Sequence, residues 1–320
     1  MRWPDCLPNR PLTYRSGPAT TSGAIKGFWP GFAATSDWLY HAGEISSERF
    51  FVIPFDVIPA YLLIGAFAGF FAGLLGVGGG VIVVPALTII FTAQGFPARE
   101  VLHLALGTSM ATILFTSLSS LRAHHAHQAV GWSVVRRLTP GILIGTWFGA
   151  QLATHISSRP LSIFFVGFML LLSLQLVINL RPTPSRQLPG LFGLSVAGSV
   201  IGAIASLAAL GGGALTVPYL TWCNMPPHRA IGTSAAVGLP IAIGGTLGYL
   251  WNGWALPGLP PGSLGFVYLP ALGVILLASV LAAPLGARLA HRLPIKVLKR
   301  VFAGLLLLLS AKMLWSLYGA

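Results

Sequence analysis

The chain has 320 residues, of which 55% are hydrophobic and only 8% charged, and it carries a formal net charge of +13. Soluble domains hold roughly a quarter charged residues, so this composition excludes water as the main solvent of the fold and makes the lipid bilayer its first expected partner. The six acids are Asp5, Asp37, Glu44, Glu48, Asp56 and Glu100, which leaves 101–320 without a carboxylate for acid–base chemistry.

Residues 1–56 balance five basic against five acidic side chains, whereas 57–320 hold fourteen basic and one acidic. The basic residues punctuate apolar runs instead of forming a face, so they read as loops orienting a membrane protein and nucleic acid is not expected as a partner. Residues 1–56 lack the apolar core of a signal peptide and are rich in Pro, Gly, Ser and Thr. They are expected to be a poorly ordered tail, and whether they belong to the native protein is left open. Cys6 and Cys223 offer neither a metal-binding spacing nor a disulfide framework.

Beyond the tail, uncharged stretches run 57–98, 101–121, 138–158, 160–180, 187–228 and 230–287, followed by an apolar segment from 301 broken only by Lys312. A spanning helix needs about 20 residues. The first and fifth stretches have 42 residues each, too many for one helix, and each contains three consecutive glycines near its middle. Laying Gly78, Gly79 and Gly80 over Gly211, Gly212 and Gly213 also superposes Gly65 on Gly198, Gly69 on Gly202 and Pro85 on Pro218. Further along, Gly107, Thr108 and Ser109 match Gly232, Thr233 and Ser234, and Gly149, Gly167 and Ser173 match Gly286, Gly304 and Ser310. The chain is therefore an internal duplication with small insertions, with membrane repeats at 57–181 and 187–320.

Orientation separates two readings of the long stretches. A single broken span in each would give parallel repeats and scatter the basic residues over both sides. A hairpin entering and leaving on one side gives three further crossings per half and inverts the second copy. Arg122, Arg136, Arg137, Arg181, Arg186, Arg229, Arg288, Arg292, Lys296, Lys299 and Arg300 then gather on one side, opposite Arg99, Arg159 and Lys312. The positive-inside rule favours the second reading and makes the crowded side cytoplasmic, with Cys223 at its edge. The expected fold is an all-α, polytopic membrane protein of two inverted repeats, each a glycine-broken re-entrant hairpin plus about three transmembrane helices.

The second arms of the hairpins, roughly Val81–Phe91 and Ala214–Trp222, are too short to cross a bilayer and read as half-helices. Irregular backbone at membrane depth is tolerated where it is buried in protein or lines a wet cavity, which puts the breaks near a substrate path. A half-helix start offers unpaired N–H groups and the positive end of its dipole, and so attracts a small anion. The bland alternative is that the glycines only allow close helix packing. Thr108, Ser109, Thr233 and Ser234 are read as the first residues of the helices after the hairpins, where their hydroxyls could donate to an oxyanion or simply cap. The candidate substrate-binding set is thus Gly78, Gly79, Gly80, Gly211, Gly212, Gly213, Thr108, Ser109, Thr233 and Ser234. His124, His125 and His127 read as a solvated connection, so no metal and no cofactor are expected. Arg99 and Arg229, after each hairpin, read as loop charges, and Trp132, Trp222, Trp251 and Trp254 as interfacial anchors.

On Gly69, Gly73, Gly76, Gly78–Gly80, Pro85 and the Gly-Thr-Ser at 107–109, repeated at Gly202, Gly211–Gly213, Pro218 and 232–234, the chain resembles the sulfite exporter TauE/SafE family of membrane permeases. The second copy departs from the first with Ser206 at the place of Gly73 and Ala209 at that of Gly76. The resemblance implies a secondary transporter of the inner membrane, exporting sulfite or small organosulfur anions, with homo-oligomerisation open. A non-transporting assembly subunit and an intramembrane enzyme are the rival classes, and the lack of acids after position 100 weighs against the enzyme.

Overall fold

The computed structural model describes residues 57–75, 79–178, 187–290 and 295–318. The expected tail at 1–56 lies outside the described residues, as do Gly78, Arg181, Arg186 and Arg292. The described chain is helical apart from one short hairpin. Its elements are α1 (Ile58–Leu75), α2 (Gly80–Ala93), α3 (Val101–Ala126), α4 (Trp132–His155), α5 (Ser158–Ile178), α6 (Leu191–Leu207), α7 (Gly213–Trp222), α8 (Pro227–Gly253), β1 (Ser263–Leu264), β2 (Val267–Tyr268), α9 (Leu269–Ala290) and α10 (Ile295–Tyr318). Among the described residues, α3, α5, α8 and α9 are long and apolar enough to cross a membrane. The protein is a multi-pass membrane protein.

The long uncharged stretches are broken at their glycines as the sequence requires. α2 has 14 residues and α7 has 10, about 21 and 15 Å at 1.5 Å per residue, short of a hydrocarbon core of about 30 Å. Pro85 and Pro218 lie within these arms. α2 extends slightly beyond the Val81–Phe91 expected, because Gly80 and the residues up to Ala93 continue the turn.

Helix pairing follows the duplication. With α1–α5 set against α6–α10, α1 packs on α9 and α6 on α4; α9 meets α3 as α4 meets α8; α2 lies on α3 and α7 on α8. α3 pairs with α8, and α5 with α10. The helix before each glycine break, α1 or α6, therefore packs against a helix of the other half. Lipid is as apolar as leucine, so helices in it associate through close packing of small residues more than through hydrophobic burial. Gly65, Gly69 and Gly73 of α1 lie against the Ile275, Ser279 and Ala283 backbone of α9, and a methyl group at any of them would overlap it. Gly141 and Gly145 of α4 stand in the same relation to the Ser195 and Ser199 carbonyls of α6. At the Ser206 departure the partner compensates, because Gly149 leaves room for the Ser206 hydroxyl. For these glycines close packing is the whole account.

The segment from Val101 to Ile113 in α3 is buried throughout, and α8 is buried along most of its length, so the core lies around this pair. Outward faces carry large apolar side chains, among them Ile144, Phe148 and Leu152 on α4 and Leu277, Leu281 and Leu285 on α9. Trp132, Trp222, Trp251 and Trp254 are exposed.

The two ends of α4 gather different elements. Near its C-terminus, His103 Nε2 lies 3.0 Å from the Ala153 carbonyl, the Ser158 hydroxyl donates to Arg99 O, and the Tyr61 hydroxyl donates to Gln94 Oε1 at 2.9 Å. These contacts join the starts of α3 and α5 to the end of α4, and the start of α1 to the end of α2. Near the N-terminus of α4, the Ser195 hydroxyl donates to Arg137 O at 3.1 Å and the Gly131 N–H donates to Thr233 Oγ1 at 2.9 Å. The starts of α6 and α8 belong to this end. Cys223 is buried in its neighbourhood, which removes it as a reporter of sidedness.

Candidate functional site

Each half-helix begins on glycine. Gly79 is the N-cap of α2 and Gly212 that of α7, and neither end has a side-chain cap. The first N–H groups of a helix have no partner within it, so both breaks present backbone donors and a positive dipole end. The Gly79 carbonyl takes the N–H groups of Ile82 and Val83 at 3.0 and 3.1 Å, and that of Gly212 takes Thr216 N at 3.2 Å. All five described glycines of the two runs are buried.

The breaks meet. Gly80 lies against the Ala209 carbonyl, so close that a methyl group there would overlap it, and such a group would stand 2.6 Å from Ile113 Cδ1 and 3.0 Å from Ser109 Oγ. Gly212 lies against the Ser234 carbonyl and the Gly238 amide. Ala209, which stands at the place of Gly76, adopts φ = 44°. That is the left-handed region, which glycine enters freely and alanine at a cost of about 1–2 kcal/mol.

The Gly-Thr-Ser segments do not begin helices. α3 starts at Val101 and α8 at Pro227, so Thr108, Ser109, Thr233 and Ser234 lie well inside them. The reason is proline: the Pro97 carbonyl takes the N–H groups of Glu100 and Val101, and that of Pro226 takes Arg229 and Ala230, opening each helix earlier. The three residues of each segment divide their work. Gly107 and Gly232 admit the Phe266 and Ala129 carbonyls of the connections that lead into α9 and α4. Thr108 Oγ1 accepts the Tyr268 N–H at 2.9 Å and Thr233 Oγ1 accepts the Gly131 N–H at the same distance. Tyr268 and Gly131 are the residues just before α9 and α4, so the two threonines anchor equivalent helix starts. The serines reach the breaks: the Ser109 hydroxyl donates to Gly80 O at 3.4 Å, and the Ser234 backbone lies on Gly212 while its hydroxyl turns back to Ile231 O at 2.8 Å.

Three buried polar residues carry signals the sequence reading passed over. His103 is buried, with Nδ1 3.2 Å from Arg99 O and 3.8 Å from Glu100 Oε2, and it bridges the entry of α3 to α4. A histidine inside an uncharged span was its mark. The Tyr249 hydroxyl, fully buried, donates to the Ser206 carbonyl at the end of α6 at 3.0 Å. Thr216 of α7 is fully buried as well and occupies the place of Val83 in the first copy, an aliphatic hydroxyl gained in the second half-helix, where Tyr219 at the place of Ala86 adds a phenol. Arg99 and Arg229 are exposed. His124 and His125 lie in the last turn of α3, the latter beside Trp132 at a ring distance of 5.6 Å. No cluster of three or more metal-binding side chains occurs among the described residues.

Residues 61–313 match the family described as sulfite exporter TauE/SafE. A probable membrane transporter protein of Haemophilus influenzae is 34% identical over 265 residues, covering 81% of this chain and 98% of that protein. Probable membrane transporter proteins of Bacillus subtilis and Methanocaldococcus jannaschii are 26% and 25% identical over 260 and 258 residues, covering 77% and 78% of this chain and 98% and 92% of their own. No solved structure matches the chain.

Proposed function

The chain belongs to the sulfite exporter TauE/SafE family, and we propose that it is a secondary transporter exporting small anions such as sulfite or organosulfonates across the cytoplasmic membrane. The observation that carries the reading is the direct contact between the two breaks, Gly80 on Ala209. Two half-helix starts from separate halves bring backbone donors and positive dipole ends to one buried junction, with the Ser109 hydroxyl beside them. An anion there meets no carboxylate from 101–320. The substrate-binding set of this reading is Gly78–Gly80, Gly211–Gly213 and Ser109 with Ser234, while Thr108 and Thr233 act behind it through the helix starts they anchor.

We further read the halves as inverted repeats with re-entrant hairpins. Five contacts support this: Tyr61 on Gln94 brings the two ends of the first hairpin together, His103 on Ala153 and Ser158 on Arg99 put the starts of α3 and α5 at the C-terminal end of α4, and Ser195 on Arg137 and Gly131 on Thr233 put those of α6 and α8 at its N-terminal end. α4 begins on the side of Arg136 and Arg137, which the positive-inside rule assigns to the cytoplasm. Rocking one half against the other separates Gly80 from Ala209 and exposes the junction to either side in turn. Flux of sulfite into proteoliposomes holding the purified full chain tests the proposal. Saturable flux above protein-free vesicles is expected; folded protein that moves no small oxyanion would overturn it, and would leave the assembly subunit as the better reading.

A further inference from the structure

Thr216 lies on the buried stripe of α7 with Gly213 and Leu220. It is fully buried, and its hydroxyl has no hydrogen-bond partner. A threonine inside a helix usually satisfies itself on the carbonyl one turn back. Thr88, Thr112, Thr146 and Thr221 do so here, on Val84, Thr108, Ile142 and Val217, at 2.8 to 2.9 Å. For Thr216 that acceptor would be Gly212 O, which takes its N–H alone. Leaving a buried hydroxyl unpaired is destabilising. Valine has the same shape without the donor, and Val83 fills the equivalent position of α2, also fully buried. Thr216 shares its face of α7 with Gly213, the first residue of the helix, so this unpartnered side chain stands one turn from the backbone donors of the second break.

We propose that the Thr216 hydroxyl is a side-chain donor to the transported oxyanion, contributed by α7 itself, and that it makes the two half-helices unequal. α7 holds one substrate oxygen by this hydroxyl and others by the amides of its first turn; α2, with Val83, offers backbone alone. The ligand this fits is an anion with at least two acceptor oxygens, as in a sulfite or a sulfonate group, held toward the second half. The inference rests on reading the glycine breaks as the anion site.

The test compares the full chain with Thr216→Val and Thr216→Ser in proteoliposomes, using sulfite flux and thermal melting. Loss of one hydrogen bond to a charged group weakens binding roughly tenfold or more. Thr216→Val is expected to melt no lower than the parent protein while its half-saturating sulfite concentration rises by that factor, and Thr216→Ser is expected to restore the parent value. Unchanged half-saturation in Thr216→Val, with the parent transporting sulfite, overturns this inference and leaves the transport reading standing. Lowered melting with unchanged half-saturation also overturns it, by giving the hydroxyl a purely structural partner. A folded parent chain that moves no sulfite overturns the transport reading itself, and this inference with it.

Discussion

Thr108→Val and Thr233→Val test the claim that the hydroxyls of the Gly-Thr-Ser segments hold helix starts. Each oxygen accepts a buried backbone N–H at 2.9 Å, from Tyr268 and from Gly131, and both threonine side chains are fully buried. Valine keeps the volume and removes the acceptor, so each variant leaves one buried amide unpaired. Such an orphan costs about 1–3 kcal/mol. In lipid the lower end applies, because the unfolded chain in the membrane also finds partners. The two pairs share no residue, so the double variant should lose about the sum, roughly 2–4 kcal/mol. Thermal melting of purified protein in detergent reads this directly, with Thr108→Ser and Thr233→Ser as controls that retain the oxygen. If the valine variants melt with the parent but lose sulfite flux, the hydroxyls act on substrate and the bracing argument fails. The same Thr→Val change at Thr216 should not lower melting, so three chemically identical substitutions separate acceptors from the orphan donor.

Gly145→Ala drives a methyl group into the Ser199 backbone, whereas Gly167→Ala meets nothing within 4 Å. The first should cost about 1–3 kcal/mol or more of stability and the second should be neutral or gain up to about 1 kcal/mol, as read from melting and folded yield. Ala209→Gly relieves the left-handed strain at φ = 44° and should raise stability by about 1 kcal/mol or somewhat less, glycine's unfolded-state entropy offsetting part of the gain. In a background lacking Cys6 and Cys223, an impermeant thiol reagent on intact cells should label Ala98→Cys and spare Ser133→Cys, both positions being exposed on opposite ends of the bundle. The reverse pattern would invert the orientation.

Much of the architecture was legible because membrane constraints act locally. Charge-free stretches of fixed length, the matched glycine runs and the matched prolines announce broken helices, whatever they pack against. The candidate site was legible only in outline. Thr108 and Ser109 are neighbours with equal capacity as donors, and nothing in their types says that one faces Tyr268 and the other Gly80. Thr108 and Ser109 stand about 100° apart around α3, and which neighbour each direction meets is set by the elements packed on that helix. Thr216 has the type and setting of an ordinary helix threonine, and only the side-chain geometry, which leaves Gly212 O to the backbone N–H, sets it apart.

From the sequence alone come the lipid environment, the duplication and the two breaks, since composition, repeat and helix length are properties of segments. Tertiary structure decided the work of each glycine: Gly65, Gly69 and Gly73 close a helix pair, while Gly80 brings the first break onto the second. It also decided that α1 and α6, the helices before the breaks, each pack on a helix of the opposite half. Small residues permit close approach to any partner, and only the packing of the whole chain selects which one arrives.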